Sequence, residues 1–198
     1  MSRKSTAKPT LNQVRIVGGK WRGRKLQFPS VEGLRPTGDR IRETLFNWLG
    51  QNLSGTRILD LFAGSGVLGV EALSRGADFV QFVDADRGAC RSLEESLKSL
   101  AAENFSVVHK KAEGFLLSVK SNSVDILFLD PPFASNQLST ICEQIGQSEI
   151  LTNRALIYVE TPRNMEPALP KTWKTLKKKS AGDVCYQLLQ ADCGNAPI

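Results

Sequence analysis

The rhythm of apolar and polar positions changes near residue 55. Upstream, two short extended segments between Val14 and Phe28 flank Gly18-Gly19, which predicts a hairpin. Leu34-Arg35-Pro36-Thr37 follows, and Thr37 is placed to cap a helix over 38–49. In that helix Ile41, Leu45, Trp48 and Leu49 recur at i, i+4, i+7 and i+8, the spacing of a buried stripe. Arg40, Glu43 and Asn47 fall on another face, free for polar work. Downstream of Ser54-Gly55, strand and helix alternate. Strands are predicted at 58–62, 79–83, 106–109, 126–129 and 155–160, and helices at 67–74, 87–101, 113–119 and 136–147. Two last segments, 173–180 and 184–190, read as strands joined by a turn at Gly182-Asp183. Near-continuous apolar strands separated by helices indicate a parallel sheet covered on both faces. The expected fold is α/β and Rossmann-like: a doubly wound, mostly parallel sheet with a C-terminal antiparallel hairpin. A small N-terminal basic β-hairpin and helix extend it. Three spans result: 1–13, a flexible basic arm; 14–53, the hairpin and helix; and 54–198, the α/β domain.

Composition narrows the function classes. The chain has 198 residues, 41% apolar and 23% charged, which is ordinary for one globular domain. No apolar run approaches the ~20 residues of a membrane span. The basic start has no apolar stretch behind it and is no signal peptide, so a cytoplasmic location is expected. Cys90, Cys142, Cys185 and Cys193 lie far apart and His109 is the single histidine, which disfavours metal and disulfide frameworks. Residues 1–48 hold eleven Lys/Arg against three Asp/Glu, a local net of +8; with +6 overall, the other 150 residues carry −2. A basic front on a near-neutral body points to a polyanion. The cluster Lys171, Lys174, Lys177, Lys178 and Lys179 reads better as a solvated edge that resists aggregation.

The densest chemical signal is Leu59-Asp60-Leu61-Phe62-Ala63-Gly64-Ser65-Gly66-Val67-Leu68-Gly69, ending the first core strand and opening the next helix. Twenty residues after Gly64, Asp84 ends the second strand, where a carboxylate can accept from both ribose hydroxyls. The glycines alone also fit a dinucleotide fingerprint and an NAD-linked oxidoreductase. Asp60 argues otherwise: it would repel a pyrophosphate, yet it suits the ammonium and sulfonium of S-adenosylmethionine. Asp130-Pro131-Pro132-Phe133 then follows the fourth strand. Ligands of open parallel sheets bind beyond the carboxyl ends of the strands, so this turn and the glycine loop share one crevice. Two prolines lack N–H groups and present carbonyl oxygens. The Asp130 carboxylate and the Pro131 carbonyl can accept both hydrogens of an exocyclic amine, with Phe133 stacking on the base. No cysteine lies near Asp130, which excludes a C5-cytosine mechanism.

These stretches, with Arg15 to Leu26, Leu34 to Leu49, Leu129 to Phe133 and Ala155 to Glu160, resemble the RsmD family of bacterial small-subunit rRNA guanine-N2 methyltransferases. The resemblance implies a class I, S-adenosylmethionine-dependent methyltransferase domain over 54–198 and an RNA-binding role for 14–53. It implies that Asp60, Gly64, Gly66 and Asp84 hold the cofactor, to which position in the motif adds Phe62, Ala63, Ser65, Gly69, Ala85, Ala112 and Glu113. It implies that Asp130, Pro131, Pro132 and Phe133 hold the target amine of a guanine in 16S rRNA, in an assembled or assembling small subunit, with no metal and a monomeric enzyme. Arg15, Lys20, Trp21, Arg22, Arg24, Lys25, Arg35, Arg40 and Arg42 are candidate RNA contacts, Trp21 equally a core residue of a small hairpin, and Arg35, Arg40 and Arg42 equally candidates for closing over the cofactor. Two departures from the family pattern are Gly38, where Thr or Ser is expected, and Asp84, where Glu is common. A DNA or RNA adenine-N6 methyltransferase poses the same chemical problem and stays the alternative among methyltransferases. An RNA-binding assembly factor without catalysis is a third class, disfavoured by intact Asp60 and Asp130.

Overall fold

The computed structural model describes residues 11–29, 37–132 and 137–192. A two-stranded hairpin, β1 (Leu11–Arg15) and β2 (Lys25–Pro29), precedes helix α1 (Asp39–Leu49). The α/β series follows: β3 (Arg57–Asp60), α2 (Val67–Ser74), β4 (Phe79–Asp84), α3 (Arg87–Ser99), β5 (Phe105–His109), α4 (Ala112–Leu116), β6 (Val124–Leu129), α5 (Gln137–Gln147) and β7 (Leu151–Pro162). Strands β8 (Trp173–Ala181) and β9 (Val184–Ala191) close the chain. The expected elements all form, with bounds shifted by a few residues. The arm is shorter than expected, because Leu11 to Gln13 pair with Gln27 to Pro29 in the hairpin.

Seven strands lie in the order β5-β4-β3-β6-β7-β9-β8. Strands β3 to β7 are parallel, and β9 runs antiparallel between β7 and β8. The chain winds outward from β3 through β4 to β5, then returns to β6 on the other side of β3. The ends of β3 and β6 thus flank the switch point, where such sheets bind ligands. The central strands are apolar because both faces are covered. One face packs α1, α2, α3 and the hairpin over Ile58, Val80, Phe82, Ile126 and Phe128; the other packs α4 and α5 over Leu59, Val83, Leu127 and Leu129. Cys90, Cys142 and Cys185 are free and buried, as small apolar fillers. Edge strand β8 carries Lys174, Lys177, Lys178 and Lys179, all exposed. Among the described residues, no helix is long and apolar enough to cross a membrane.

Two expectations for α1 are corrected. Thr37 does not cap the helix. Gly38 takes the cap position in an extended conformation, with no side-chain bond, because the Thr37 hydroxyl is engaged elsewhere. The expected stripe is corrected only in extent: Ile41 and Leu45 are buried, Arg42 and Phe46 join them, and Trp48 and Leu49 are half-buried against the same core, Trp48 stacking on Tyr186 with ring centroids 5.4 Å apart.

The hairpin is bolted to the α/β layer by polar contacts. Its turn sits on the last residue of α2: the Lys20 N–H donates to the Ser74 carbonyl at 2.7 Å and the Trp21 N–H to Ser74 Oγ at 2.9 Å. The first satisfies a helix-end carbonyl that α2 leaves unpaired. Gly19 has φ +70°, and a Cβ there would lie 1.9 Å from the Ser74 oxygen, so only glycine permits the approach. Arg42 is fully buried, which overturns its candidacy as an RNA or cofactor contact. Its guanidinium donates to the carbonyls of Arg15 (2.8 Å) and Thr37 (3.1 Å) and to Asp39 (2.6 Å), and pairs with Glu71 at 3.4 Å. Glu71 also pairs with Arg75 at 2.9 Å and accepts the Val17 N–H at 2.9 Å. Burial holds the Arg42 pKa below its ordinary value, against the pull of Asp39 and Glu71.

Candidate active site

Strand β3 ends at Asp60, which is 3% exposed. One of its oxygens accepts the Gly69 N–H at 3.1 Å, across the turn that opens α2. Burial pushes the Asp60 carboxyl up to about 7, opposed by that hydrogen bond and assisted by Asp84. Asp84, at the end of β4, shapes the glycine loop: Oδ2 accepts the Gly64 N–H and Oδ1 the Asp86 N–H, each at 2.7 Å. A carboxylate oxygen has two lone pairs, so both retain capacity for a further donor. Ser65 and Ala63 are buried, and Gly66 starts α2. Gly69 is corrected from a cofactor contact to a packing position. A Cβ there would lie 2.2 Å from the Phe82 ring, so its missing side chain lets α2 approach the sheet. Phe62 is half-buried over the α4/α5 face.

Past Asp84, Ala85 is exposed, and its carbonyl lies 3.0 Å from His109 Nε2, a strand-end role for the one histidine. Ala112 is buried at the start of α4, and the Glu113 carbonyl accepts from Gln144 Nε2 at 3.1 Å. These residues follow β5, next to the end of β4, where Asp84 pairs with His109.

Asp130 follows β6, two positions beyond the partner of Asp60 in the register. It is half-buried, with Pro131 buried and Pro132 exposed beside it. The two prolines and Glu160 line a narrow cleft with Leu138, Thr161 and Met165. Phe133 and Arg35 lie outside the described residues. The Thr37 hydroxyl reaches Asp130 Oδ2 at 3.3 Å and Glu160 Oε1 at 2.9 Å. The Tyr158 hydroxyl donates to the same Glu160 oxygen at 2.7 Å. Burial raises the Asp130 pKa well above the carboxylate range, with Glu160 and then Asp60 adding to the rise and Thr37 opposing it. Glu160 is raised by burial too, against its bonds from Tyr158 and Thr37. Sequence reasoning missed Thr37, Tyr158 and Glu160 as site residues. The available signal was a carboxylate ending an otherwise apolar strand, with a tyrosine two residues earlier on the same face.

Asp60, Asp130 and Glu160 thus gather three carboxyl groups, the first and last buried and Asp130 half-buried, and no cation figures among the influences on any of them. Among the described residues, none of the three is in an ion pair. Such a site repels a pyrophosphate and favours a cationic ligand, which fits S-adenosylmethionine and disfavours NAD. No group of His, Cys, Asp and Glu among the described residues is arranged to hold a metal.

The basic candidates divide by position. Arg15 and Arg40 are exposed near the start of α1, on the side of Thr37 and Asp130. Lys20, Arg22 and Arg24 are exposed at the hairpin turn, beside the far end of α2 from the glycine loop. That helix spans eight residues, so the separation is about 12 Å along its axis at the usual rise. Lys25 is exposed as well. Of the two readings of Trp21 the structure takes the core one: it is 7% exposed, and the Lys20 ammonium lies 4.4 Å from its ring centroid.

The family model described as Conserved hypothetical protein 95 matches residues 14–190. The chain is 44% identical to the Ribosomal RNA small subunit methyltransferase D of Escherichia coli K12 over 181 residues, 91% of each protein. It is 42% identical to the protein of that name in Haemophilus influenzae, covering 90% of this chain and 94% of the relative. Among solved structures, an Escherichia coli protein assigned as a methyltransferase superposes with a TM-score of 0.84 at 41% identity, covering 92% of this chain and all of the other. A more distant Streptococcus mutans structure, 15% identical with a TM-score of 0.70 over 96% of this chain and 57% of its own, shares the fold. With its matching sequence, its doubly wound sheet and its acidic strand-end cleft, the chain belongs to the RsmD family of small-subunit ribosomal RNA methyltransferases.

Proposed function

We propose that this chain transfers a methyl group from S-adenosylmethionine to N2 of a guanine in 16S rRNA, acting as a cytoplasmic monomer on an assembled or assembling small subunit. The observation that carries the reading is the uncompensated acidic cluster at the switch point, with Asp130 directly ahead of Pro131 and Pro132, which line the cleft. When bound, S-adenosylmethionine supplies an electrophilic methyl on a sulfonium.

Asp60 and Asp84 are the residues suited to hold it, the first by charge, the second through the two oxygens that already organise the glycine loop. Guanine N2 is a poor nucleophile because its lone pair is delocalised into the ring. The Asp130 carboxylate and the Pro131 carbonyl accept its two hydrogens and draw the nitrogen toward tetrahedral geometry. Most of the acceleration then comes from alignment. The amine loses a proton after transfer, and Asp130 accepts it. Pro131 and Pro132 keep the turn rigid and free of competing N–H donors. The target base must be unpaired or flipped to reach the cleft. Arg15 and Arg40 lie on the catalytic side for nearby phosphates, and Lys20, Arg22 and Arg24 serve backbone farther along the RNA.

The test is Asp130→Ala, assayed by tritiated methyl transfer to small subunits from a strain lacking the enzyme, with mass spectrometry of the methylated nucleoside. Loss of transfer, with N2-methylguanine as the parent's product, is expected. Unchanged transfer by the variant, or N6-methyladenine as the product, overturns the reading.

A further inference from the structure

The carboxylate on the rim of the cleft does not stand alone. Thr37 Oγ1 bridges Asp130 Oδ2 (3.3 Å) and Glu160 Oε1 (2.9 Å), and Tyr158 donates to that same Glu160 oxygen (2.7 Å). Thr37 and Glu160 are buried, at 6% and 3% exposure, so water does not compete for the bond between them. Thr37 is itself held in place: its carbonyl accepts from Arg42 Nε at 3.1 Å, within the charge cluster that anchors the hairpin. A hydroxyl carries one hydrogen and two lone pairs. Placed between two carboxyl groups, it can accept from one while donating to the other.

We infer that Thr37 and Glu160 are positioning residues for the methyl transfer, Thr37 orienting the Asp130 carboxylate and passing the proton it collects on to Glu160. The inference rests on the reaction proposed above. An N–H bond of the methylated amine breaks, its electron pair stays on nitrogen, and an O–H bond forms on Asp130. That hydrogen then moves to Thr37 Oγ1 as the threonine's own hydrogen moves to Glu160 Oε1. The amine ends neutral, Asp130 ends ionised, Glu160 ends protonated, and the threonine is unchanged. The Tyr158 hydroxyl fixes the receiving oxygen throughout. Glu160 lines the same narrow cleft as Pro131 and Pro132, which gives its proton an exit once product leaves.

Thr37→Val, Thr37→Ser, Glu160→Gln and the Val/Gln double variant are compared in steady-state methyl transfer to small subunits, beside Asp130→Asn. Thr37→Val is expected to lower kcat at least about 10-fold, with KM for S-adenosylmethionine and for subunits within about twofold of the parent. Thr37→Ser restores kcat to within about threefold. Glu160→Gln falls like Thr37→Val, and the double variant falls no further than the worse single, as expected of groups acting in one unit. An unchanged kcat in Thr37→Val, a serine as defective as the valine, or losses that multiply in the double variant each overturn the inference. If Thr37→Val does not fold, an unchanged kcat in Glu160→Gln overturns it alone. Activity surviving in Asp130→Asn removes Asp130 as the proton acceptor on which the reading above rests; activity lost there but intact in Thr37→Val sinks only the relay.

Discussion

Two charge clusters meet at the start of α1, linked through Thr37, and they are built on opposite principles. In the first, Glu71 is met by Arg42 and Arg75, and Arg42 also meets Asp39. Every charge has a partner of the other sign, and the remaining donors go to backbone carbonyls and to the Gln51 side-chain oxygen. In the second, Asp60, Asp130 and Glu160 stand together with hydroxyl and N–H donors only. The first cluster joins three segments of chain and is complete as it stands. The second is left incomplete by the protein, since burial without a cation pushes its acids upward. Proteins keep such unbalanced groups where a ligand or a reaction completes them. The contrast separates a structural charge cluster from a functional one without reference to any relative.

Breaking the balanced cluster has the largest expected effect on the fold. Glu71→Ala strands the buried Arg42 and Arg75 and leaves the Val17 N–H without its acceptor. Loss of one partner from a buried pair costs about 3–5 kcal/mol, read as a lower urea midpoint. A loss under about 1 kcal/mol would mean the arginines find other partners and that the cluster is not the fastening it looks to be.

The unbalanced cluster responds in the opposite sense. Asp60 is raised from an ordinary 3.8 to about 7, so between those values the folded protein holds a proton that the unfolded chain has released. Stability of the unliganded protein is therefore highest near the acid end of that window and falls as pH rises toward 7, by on the order of a few kcal/mol. Asp60→Asn has no proton to lose and flattens that fall, while weakening S-adenosylmethionine binding. Urea titrations at several pH values and calorimetry check both halves. An Asn variant with the parent's pH slope would remove Asp60 from the unbalanced set.

The smallest effect belongs to charges outside both clusters. Arg22 is exposed at the hairpin turn. Arg22→Ala is expected to change stability by less than about 0.5 kcal/mol. It should lower the salt slope of RNA binding by roughly one, measured by filter binding across a salt series. An unchanged slope would confine the RNA contacts to the other basic residues.

The sheet was legible because its strands are apolar runs buried on both faces, a signal contained within each segment. Asp60, Asp84 and Asp130 were legible because each ends one of those strands, and the switch point gathers strand ends. What the letters concealed were side chains whose partners are remote. Thr37 looks like a helix cap locally, but its hydroxyl finds Glu160, 123 residues on. Arg42 sits at a helix position that reads as solvent-facing, and becomes core because Glu71, 29 residues on, lies opposite it. Trp21 lies among basic residues as a stacking side chain would, yet the hairpin is pressed so tightly on α2 that the ring is enclosed. Burial of a polar or aromatic residue is decided by docking between segments, and pattern within one segment does not report it.

The docking of the Gly18-Gly19 turn on the last residue of α2 gives the molecule a built-in caliper. One short rod carries the glycine loop at its head and the basic turn at its foot, which fixes the spacing between the two. If the basic turn holds RNA as proposed above, the RNA backbone has to cross both points at that interval, and one extra helical turn in the rod would change the interval while leaving every reacting group intact.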